Sequence, residues 1–381
     1  MSRSKYGGVT GCAFAAPGGP PHESLEEMLY GLARRALADA QLSFADIDGI
    51  SIASCDQLDG RAIAIMAASG SVGGVTRDIV STPSSSEHAF VLGALRVASG
   101  QYRTQLVMSW SPLEVESLSE AQHLGTDPYF HRSLPLDDTT SYALQAVAMD
   151  PTGALRDSAV ALAAKNRVQG GLAYPDRASG AREKAWIGND EMISWPLTRS
   201  MVAPPAAGAV ALVIADADFI AGRQRHDVAW IKGLGWAAEP GFLGDRDLAK
   251  LPSLDAAIAR ACGEAGLTDA ASEIDLAELM DATPYQQILA GEALGVYRRA
   301  SATEGPLARI PLNLSGGATS FNPVFCSGLM RIAEAAQQVR GRAGAHQLAS
   351  VRRAIGHGAS GFAMQYNTVV VMESDHAGGT Q

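Results

Sequence analysis

Cysteine is scarce in this chain, and its placement excludes two classes of protein. Cys12, Cys55, Cys262 and Cys326 stand far apart, with no CxxC pair and no Cys/His spacing. A zinc site or a disulfide framework has no basis here, no metal ligand set is expected, and a reducing cytoplasm is the expected compartment. Aromatic residues are also few, at 6% of 381 residues, while 40 are glycine and 47% are hydrophobic. Small residues on that scale suit an α/β protein whose helices and sheets approach closely. Basic residues are outnumbered, 30 Lys and Arg against 40 Asp and Glu, for a formal net charge of −10. That balance argues against a nucleic-acid backbone or an anionic membrane as partner. Arg340, Arg342, Arg352 and Arg353 form a local exception, read either as a solvated surface or as a seat for a phosphorylated ligand. No apolar window is long enough to span a bilayer. The run from Gly8 to Pro17 is broken by Gly and Pro and lacks a cleavage pattern, so it reads as a first strand and not as a signal peptide.

What is present is an internal repetition. Residues 23–52 read as an amphipathic helix, a turn after Gln41-Leu42, an Asp-rich cap and a strand. Residues 253–281 repeat that order, through Ala265-Gly266-Leu267 and Ile274-Asp275. Ser84 to Gly100 leads to a strand at Leu106 to Trp110, and Cys326 to Gly341 leads through a longer loop to one at Thr368 to Met372. Turn residues recur together with apolar periodicity, which predicts a duplicated α/β fold in two halves, 1–225 and 226–381, related by a pseudo-twofold. The site is expected where loops of both halves converge. Residues 112–200 are too long for a linker and too irregular for the sheet. They carry Tyr129, Phe130, Tyr142, Tyr174 and Trp186 and a helix over 154–168, and are expected to cover the site or to make a subunit contact. Val202 to Asp216 reads as a Pro-marked turn into a buried strand, and the tail after Glu373 as disordered.

Several stretches carry a family resemblance: DIDGISIA (Asp46 to Ala53), the helix from Ser84 to Gly100, and LAAKNR (Leu162 to Arg167). Trp195-Pro196-Leu197 leading to PPAAGAVALVIAD, ELMDATPYQQILAGEALG (Glu278 to Gly295), PLNLSGG (Pro311 to Gly317) and GHGASGFAMQYNTVVVME (Gly356 to Glu373) complete the set. In their order and spacing the chain resembles the thiolase superfamily over nearly its whole length. It is most similar to the sterol-carrier-protein-x type thiolases and the bacterial lipid-transfer-protein thiolase-like subunits. The resemblance implies a thiolase fold of five layers, αβαβα, and a homodimer or heterodimer built through it. It also implies a coenzyme A thioester as substrate, with no resident cofactor.

A thiolase needs a cysteine at a helix N-terminus, where the dipole and free N–H groups favour the thiolate. It also needs an Asn- or His-bearing motif, a His from a Gly-His-Pro turn for an oxyanion hole, and a late Cys or His for proton transfer. This sequence departs at all four. Pro83 stands at the nucleophile position, followed by Ser84, Ser85 and Ser86. Met280 stands at the Asn/His position, Phe321-Asn322-Pro323 at the Gly-His-Pro turn, and Tyr366 near the late acid/base position. Proline suits a first helical turn but is no nucleophile, so Claisen chemistry through an acyl-cysteine is not expected.

Each remaining candidate has two readings. Tyr366 is either a core phenol or the acid/base; Asp281 either caps the helix PYQQILAGEAL or is catalytic, with Tyr285 beside it. His357 reads as a loop histidine between glycines, either at the site or idle on the surface. Asn322 is placed to donate to a substrate carbonyl. For substrate contact the candidates are Ser84, otherwise a helix cap, His88, otherwise a packed helix residue, and Gly316 and Gly317, a tight turn bringing N–H groups to the site.

Cysteine-free thiolase-like subunits of the lipid-transfer group are known as aldolases of steroid side-chain breakdown, working with a small partner that has an OB fold and a zinc ribbon. By that resemblance the expected function is retro-aldol cleavage of a β-hydroxyacyl-CoA-type thioester. Such relatives tend to carry Tyr where this chain has Met280, so their acid/base pair does not carry over intact. The alternatives are a non-catalytic partner subunit of a thiolase- or ketosynthase-like complex, and a cysteine-independent acyltransferase.

Overall fold

The computed structural model describes residues 4–15, 23–175, 190–298 and 307–375. Trp186, Pro17 and the last six residues of the tail lie outside them. Nine strands form one mixed sheet: β1 (Gly8–Ala15), β2 (Gly49–Ala53), β3 (Asp78–Thr82), β4 (Thr104–Ser111), β5 (Gly208–Ala215), β6 (Ala229–Ala238), β7 (Leu276–Leu279), β8 (Arg353–Ser360) and β9 (Tyr366–Glu373). The order across it, β7-β8-β9-β6-β1-β5-β4-β2-β3, is one pattern written twice. In the first half β2 lies parallel to β3 and β4, and the ladder continues antiparallel to β5 and β1. In the second half β7 and β8 are parallel, followed antiparallel by β9 and β6, while Leu312 bridges to Ala277 where the first half has its edge strand. The first strands of the halves, β1 and β6, meet antiparallel at Gly8–Trp230 and Val9–Ala229. That junction is where a pseudo-twofold must pass, and it stitches the two halves into a continuous ladder.

Helices lie on both sides of each half. On the outside, α1 (Leu25–Asp39) covers β1 and β5, and α6 (Pro252–Ala265) covers β6 and β9. Between the halves, α2 (Ser86–Ala98) and α8 (Ser327–Arg340) pack on each other. The buried apolar side chains accordingly divide into three groups. Leu29, Ile50, Leu106 and Val213 fill the outer space of the first half. Phe90, Val107, Leu329 and Val370 fill the centre. Leu254, Leu279, Val369 and Val371 fill the outer space of the second half. Strand alternation decides the sorting, since Val369 and Val371 face one side and Val370 the other. Each such side chain contributes about 1.5–3 kcal/mol by leaving water.

Local signals set the element ends. Ser24 and Glu27 make reciprocal capping bonds of 3.2 and 2.9 Å at the start of α1. Pro252 opens α6, whose end, like that of α8, is closed by a left-handed glycine, Gly266 and Gly341. The small-residue composition has a direct use here. A Cβ on Gly233 or Gly235 of β6 would lie 1.8 or 2.0 Å from the carbonyl oxygens of Ala261 and Ala257 in α6. Helix backbone rests on strand backbone.

The segment between the halves folds as α3 (Leu118–Leu124), α4 (Asp138–Met149) and α5 (Arg156–Ala173), the last running past the expected 154–168. Both α4 and α5 pack on α7 (Pro284–Ala293) and extend the outer core of the second half. Tyr129 and Phe130 are exposed, whereas Tyr174 is buried and donates to Glu334. Arg340 is buried and pairs with Asp39 at 2.6 Å, Arg342 pairs with Asp227 at 2.9 Å, and Arg352 and Arg353 pair with Glu373. Each of the four is thus paired with a carboxylate, and Arg342 and Arg352 are half-exposed as expected of a solvated surface. Among the described residues no helix is long and apolar enough to cross a membrane.

Candidate active site

Loops leaving the C-terminal ends of β2, β3, β7 and β8 meet α3 and α4 at a cleft of about 460 Å³. Ala53 pairs with Thr82 in the parallel β2–β3 ladder, so the residues just beyond, Cys55 and Pro83-Ser84, open on the cleft together. Met280 follows β7, and Tyr366 opens β9 opposite Ser360 at the end of β8. Both halves and the intervening segment contribute to the walls. Pro83, Met280 and Tyr366, which the family resemblance sets at the reacting positions, all line this one cleft.

Three of the sequence candidates come together here. Ser84 Oγ lies 2.7 Å from His88 Nδ1 and 2.8 Å from Thr82 Oγ1. His88 meets the Tyr366 ring edge-on, with centroids 5.9 Å apart. Ser84 does not cap α2, whose N-cap residue is Ser85.

The other candidates are placed elsewhere. His357 is not in a loop: it lies in β8, wholly buried, with Nε2 3.0 Å from Asn367 Oδ1. Burial pushes its imidazole down to about 4, so it is neutral at pH 7. Asn322 accepts from Ser327 Oγ at 2.7 Å, and Val324 and Phe325 line the cleft in its stead. Tyr285 is wholly buried in the first turn of α7, where burial pushes its phenol up to about 12.

Asp281 neither caps α7, whose cap is Thr283, nor lines the cleft. It is wholly buried and ties three segments together. Its carboxylate accepts from Asn166 Nδ2 at 2.9 Å, Ala318 N at 2.5 Å and Thr319 Oγ1 at 2.8 Å. Asn166 belongs to the LAAKNR stretch, now explained as part of this tie. Burial pushes the Asp281 carboxyl up to about 7 despite those donors. Gly316 and Gly317 serve the same junction and not the cleft. A Cβ on Gly317, at φ +66, would lie 2.3 Å from both Asp281 oxygens, and one on Gly316 would lie 2.4 Å from the Gly170 nitrogen in α5. Asp281→Asn, which sets an amide donor against these donors, is expected to cost about 2 kcal/mol in urea unfolding.

The structure also brings in groups that the sequence reading passed over. Asp138 and Tyr142, one turn apart on α4, line the cleft with Gln122 of α3. Gln122 Nε2 donates to the Asp138 carboxylate, and its Oε1 accepts the Asp138 N–H at 3.3 Å. Tyr142 stands beside the same carboxylate and favours its charged form. Burial, helped by the charge of Asp137, pushes the Asp138 carboxyl up to about 6. The only local signal was an Asp pair opening a helix, which reads as a cap, and Asp137 is indeed that cap, accepting from Thr140 N at 2.8 Å. Cys55 is the thiol nearest in kind to the missing nucleophile. Burial, with Asp56 and Asp59 adding to it, holds it above its ordinary range, the opposite of what an attacking thiol requires.

Comparison with known proteins agrees with this frame. Residues 241–373 match the family model "Thiolase C-terminal domain-like". An acetyl-CoA acetyltransferase of Methanothermobacter thermautotrophicus is 30% identical over 183 residues, covering 45% of this chain and 47% of that protein. The match therefore spans about half the length of that curated relative. Among solved structures, the "Ltp2-ChsH2(DUF35) aldolase" superposes with a TM-score of 0.75 at 17% identity, covering 98% of this chain and 99% of that one. A monomeric SCP2-thiolase like protein type 1 from Mycobacterium smegmatis gives 0.71 at 18% identity, covering 98% and 78%. Human mitochondrial 3-ketoacyl-CoA thiolase gives 0.69 at 16%, covering 98% and 100%. At such identities the superpositions speak for the fold. The chain thus has the fold of the thiolases throughout, and its residues 241–373 match the thiolase C-terminal family.

Proposed function

We propose that the chain cleaves the Cα–Cβ bond of a β-hydroxyacyl-CoA thioester, of lipid or steroid side-chain type, by a retro-aldol reaction without a covalent intermediate. One observation carries the reading: Tyr366 remains in the cleft beside the nucleophile position, and that position is Pro83. With no thiol to hold an acyl group, the chemistry left is proton transfer. In the reaction the β-hydroxyl gives its proton to a base, and Cβ leaves as an aldehyde or ketone. The Cα–Cβ electron pair passes into the thioester as an enolate, which then takes a proton at Cα. Nothing is oxidised or reduced, and coenzyme A enters and leaves as part of the substrate. We assign Tyr366 to proton delivery at Cα.

The likeness to a protein described as an aldolase supports this reading. That protein's name couples Ltp2 with ChsH2(DUF35), which supports a partner subunit for this chain; we take the partner to be a small OB-fold, zinc-ribbon protein, beside a dimer through the thiolase fold. Four unpaired cysteines favour the cytoplasm as the place of action.

The test incubates the purified chain, alone and with such a partner, with a series of β-hydroxyacyl-CoA thioesters. The expected products are a free carbonyl compound and an acyl-CoA shortened at Cα, read by mass spectrometry. If every thioester is left untouched, and the chain only promotes acyl transfer by a cysteine-bearing thiolase, it is a non-catalytic subunit.

A further inference from the structure

A retro-aldol reaction needs a base for the β-hydroxyl as well as an acid for Cα, and the family position that could supply one holds Met280, an apolar wall residue. We propose that Asp138 is the general base of the cleft, positioned by Gln122 and Tyr142, and that the segment between the two halves thereby supplies half of the catalytic pair. This rests on the retro-aldol reading and adds to it the group that takes the hydroxyl proton.

The geometry separates Asp138 from a structural role. The cap of α4 is Asp137, which accepts from both Thr140 N and Thr140 Oγ1 at 2.8 Å, so Asp138 is not needed to start the helix. Asp138 opens on the cleft that also holds Tyr366. Gln122 grips it twice, through the side-chain carboxylate and the backbone N–H, which fixes the carboxylate against the α3 wall. Tyr142, one turn on, lines the cleft beside it and favours its charged form. The other charged or titratable groups on this side are Asp137 on α4, Asp127 and His131 in the loop between α3 and α4, and Cys55 past β2. Among the described residues no Lys or Arg shifts its ionisation. A carboxylate raised to about 6 is a stronger base than an ordinary aspartate and is still ionised above neutrality.

The protons balance. The β-hydroxyl proton goes to the Asp138 carboxylate as the Cα–Cβ bond breaks, and the electron pair of that bond becomes the enolate. Tyr366 O–H then protonates Cα. After the products leave, the proton on Asp138 returns through water to the Tyr366 phenolate, and the site is reset.

The experiment compares Asp138→Asn and Tyr142→Phe with wild type and with Tyr366→Phe, in two readouts. On a cleavable β-hydroxyacyl-CoA, wild-type kcat/KM is expected to fall as pH drops below about 6, where Asp138 takes up its proton. Asp138→Asn is expected to lower kcat about 100-fold or more and to lose that acid limb. Tyr142→Phe removes the hydroxyl that favours the charged form of Asp138, so its limb moves to higher pH. In the unliganded protein, the infrared difference between wild type and Asp138→Asn is expected to show a carboxyl band that disappears between pH 5 and 7.5, the band of Asp281 being common to both. Should Asp138→Asn fail to fold, the Tyr142→Phe shift decides the matter. Full cleavage with an unchanged acid limb in Asp138→Asn, while Tyr366→Phe is inactive, overturns the base and leaves the retro-aldol reading standing. Absence of the titrating band overturns it as well. A titrating Asp138 band in a wild-type protein that cleaves none of the thioesters supports the base and overturns the retro-aldol reading.

Discussion

Replacing Tyr366 by phenylalanine is expected to lower kcat for β-hydroxyacyl-CoA cleavage by about 10²–10⁴-fold, the usual contribution of a positioned proton-transfer group. The substitution is clean because it removes a single oxygen. The ring keeps its edge contact with His88 at 5.9 Å, and the backbone keeps its pairing to Ser360 on one side and Ala238 on the other. Unfolding free energy is therefore expected to stay within about 0.5 kcal/mol of wild type, as for substitutions that break no buried network. KM is expected to change little, since the phenol's proton matters in the transition state and not in holding the thioester. Single-turnover cleavage, followed by the appearance of the carbonyl product, measures the chemical step directly. Unchanged single-turnover rates in Tyr366→Phe would remove this tyrosine from the mechanism.

Arg331→Met is expected to destabilise the fold by about 3–5 kcal/mol, because it strands buried carboxylates. Arg331 is wholly buried in the central helix α8, and its Nη1 lies 3.1 Å from Glu278 Oε2. Glu278 also accepts from the Ser315 N–H at 3.0 Å, and Glu334, one turn along α8, lies 3.0 Å from His346 Nε2. Burial pushes the Glu278 carboxyl above its ordinary range, and Arg331 is what opposes that. Burial also works against the charge on Glu334, but its bond with His346 and the charge of Arg331 outweigh it and hold that group low. Without the guanidinium, Glu278 prefers its neutral form in the folded protein, while Glu334 keeps its bond with His346. The folded state of the variant then binds more protons than the unfolded state, so its stability rises as pH falls. The deficit against wild type is expected to be smaller at pH 5 than at pH 8 in urea unfolding. Removing Glu278 as well, as Glu278→Leu with Arg331→Met, is expected to recover part of the loss. A deficit that is independent of pH would show that packing volume, and not stranded charge, is what Arg331 provides.

Much of the fold was legible because its signals are local. The capping box at Ser24, the glycines at 266 and 341 and the alternating apolar residues of β9 each act within a few residues. Their recurrence in the same order was enough to expect two halves. His357 shows where that reasoning ends. Its flanking glycines suggested a loop, yet they lie within β8. There a Cβ on Gly356 would sit 2.7 Å from Ile332 Cα, and one on Gly358 would sit 2.9 Å from the Glu87 side chain. These glycines make room for the central helices, a requirement set by residues distant in sequence. Asp281 was misread for a similar reason. Its partners, Asn166, Ala318 and Thr319, come from other segments, so nothing beside it in the chain reveals the tie.

By itself the sequence determined the α/β class and led to the expectation of two repeated halves, since periodicity and turn chemistry survive without coordinates, while the place of the missing thiol came from the family resemblance. Only the tertiary structure decided which polar groups face the cleft. Tyr366 and Ser84 line it, each in contact with His88; Asp138 and Tyr142 join them from the intervening segment, and His357, Asp281 and Tyr285 are buried away from it. Whether a side chain opens on a cleft depends on strand register and on how distant segments pack, and neither is encoded in the few residues around it.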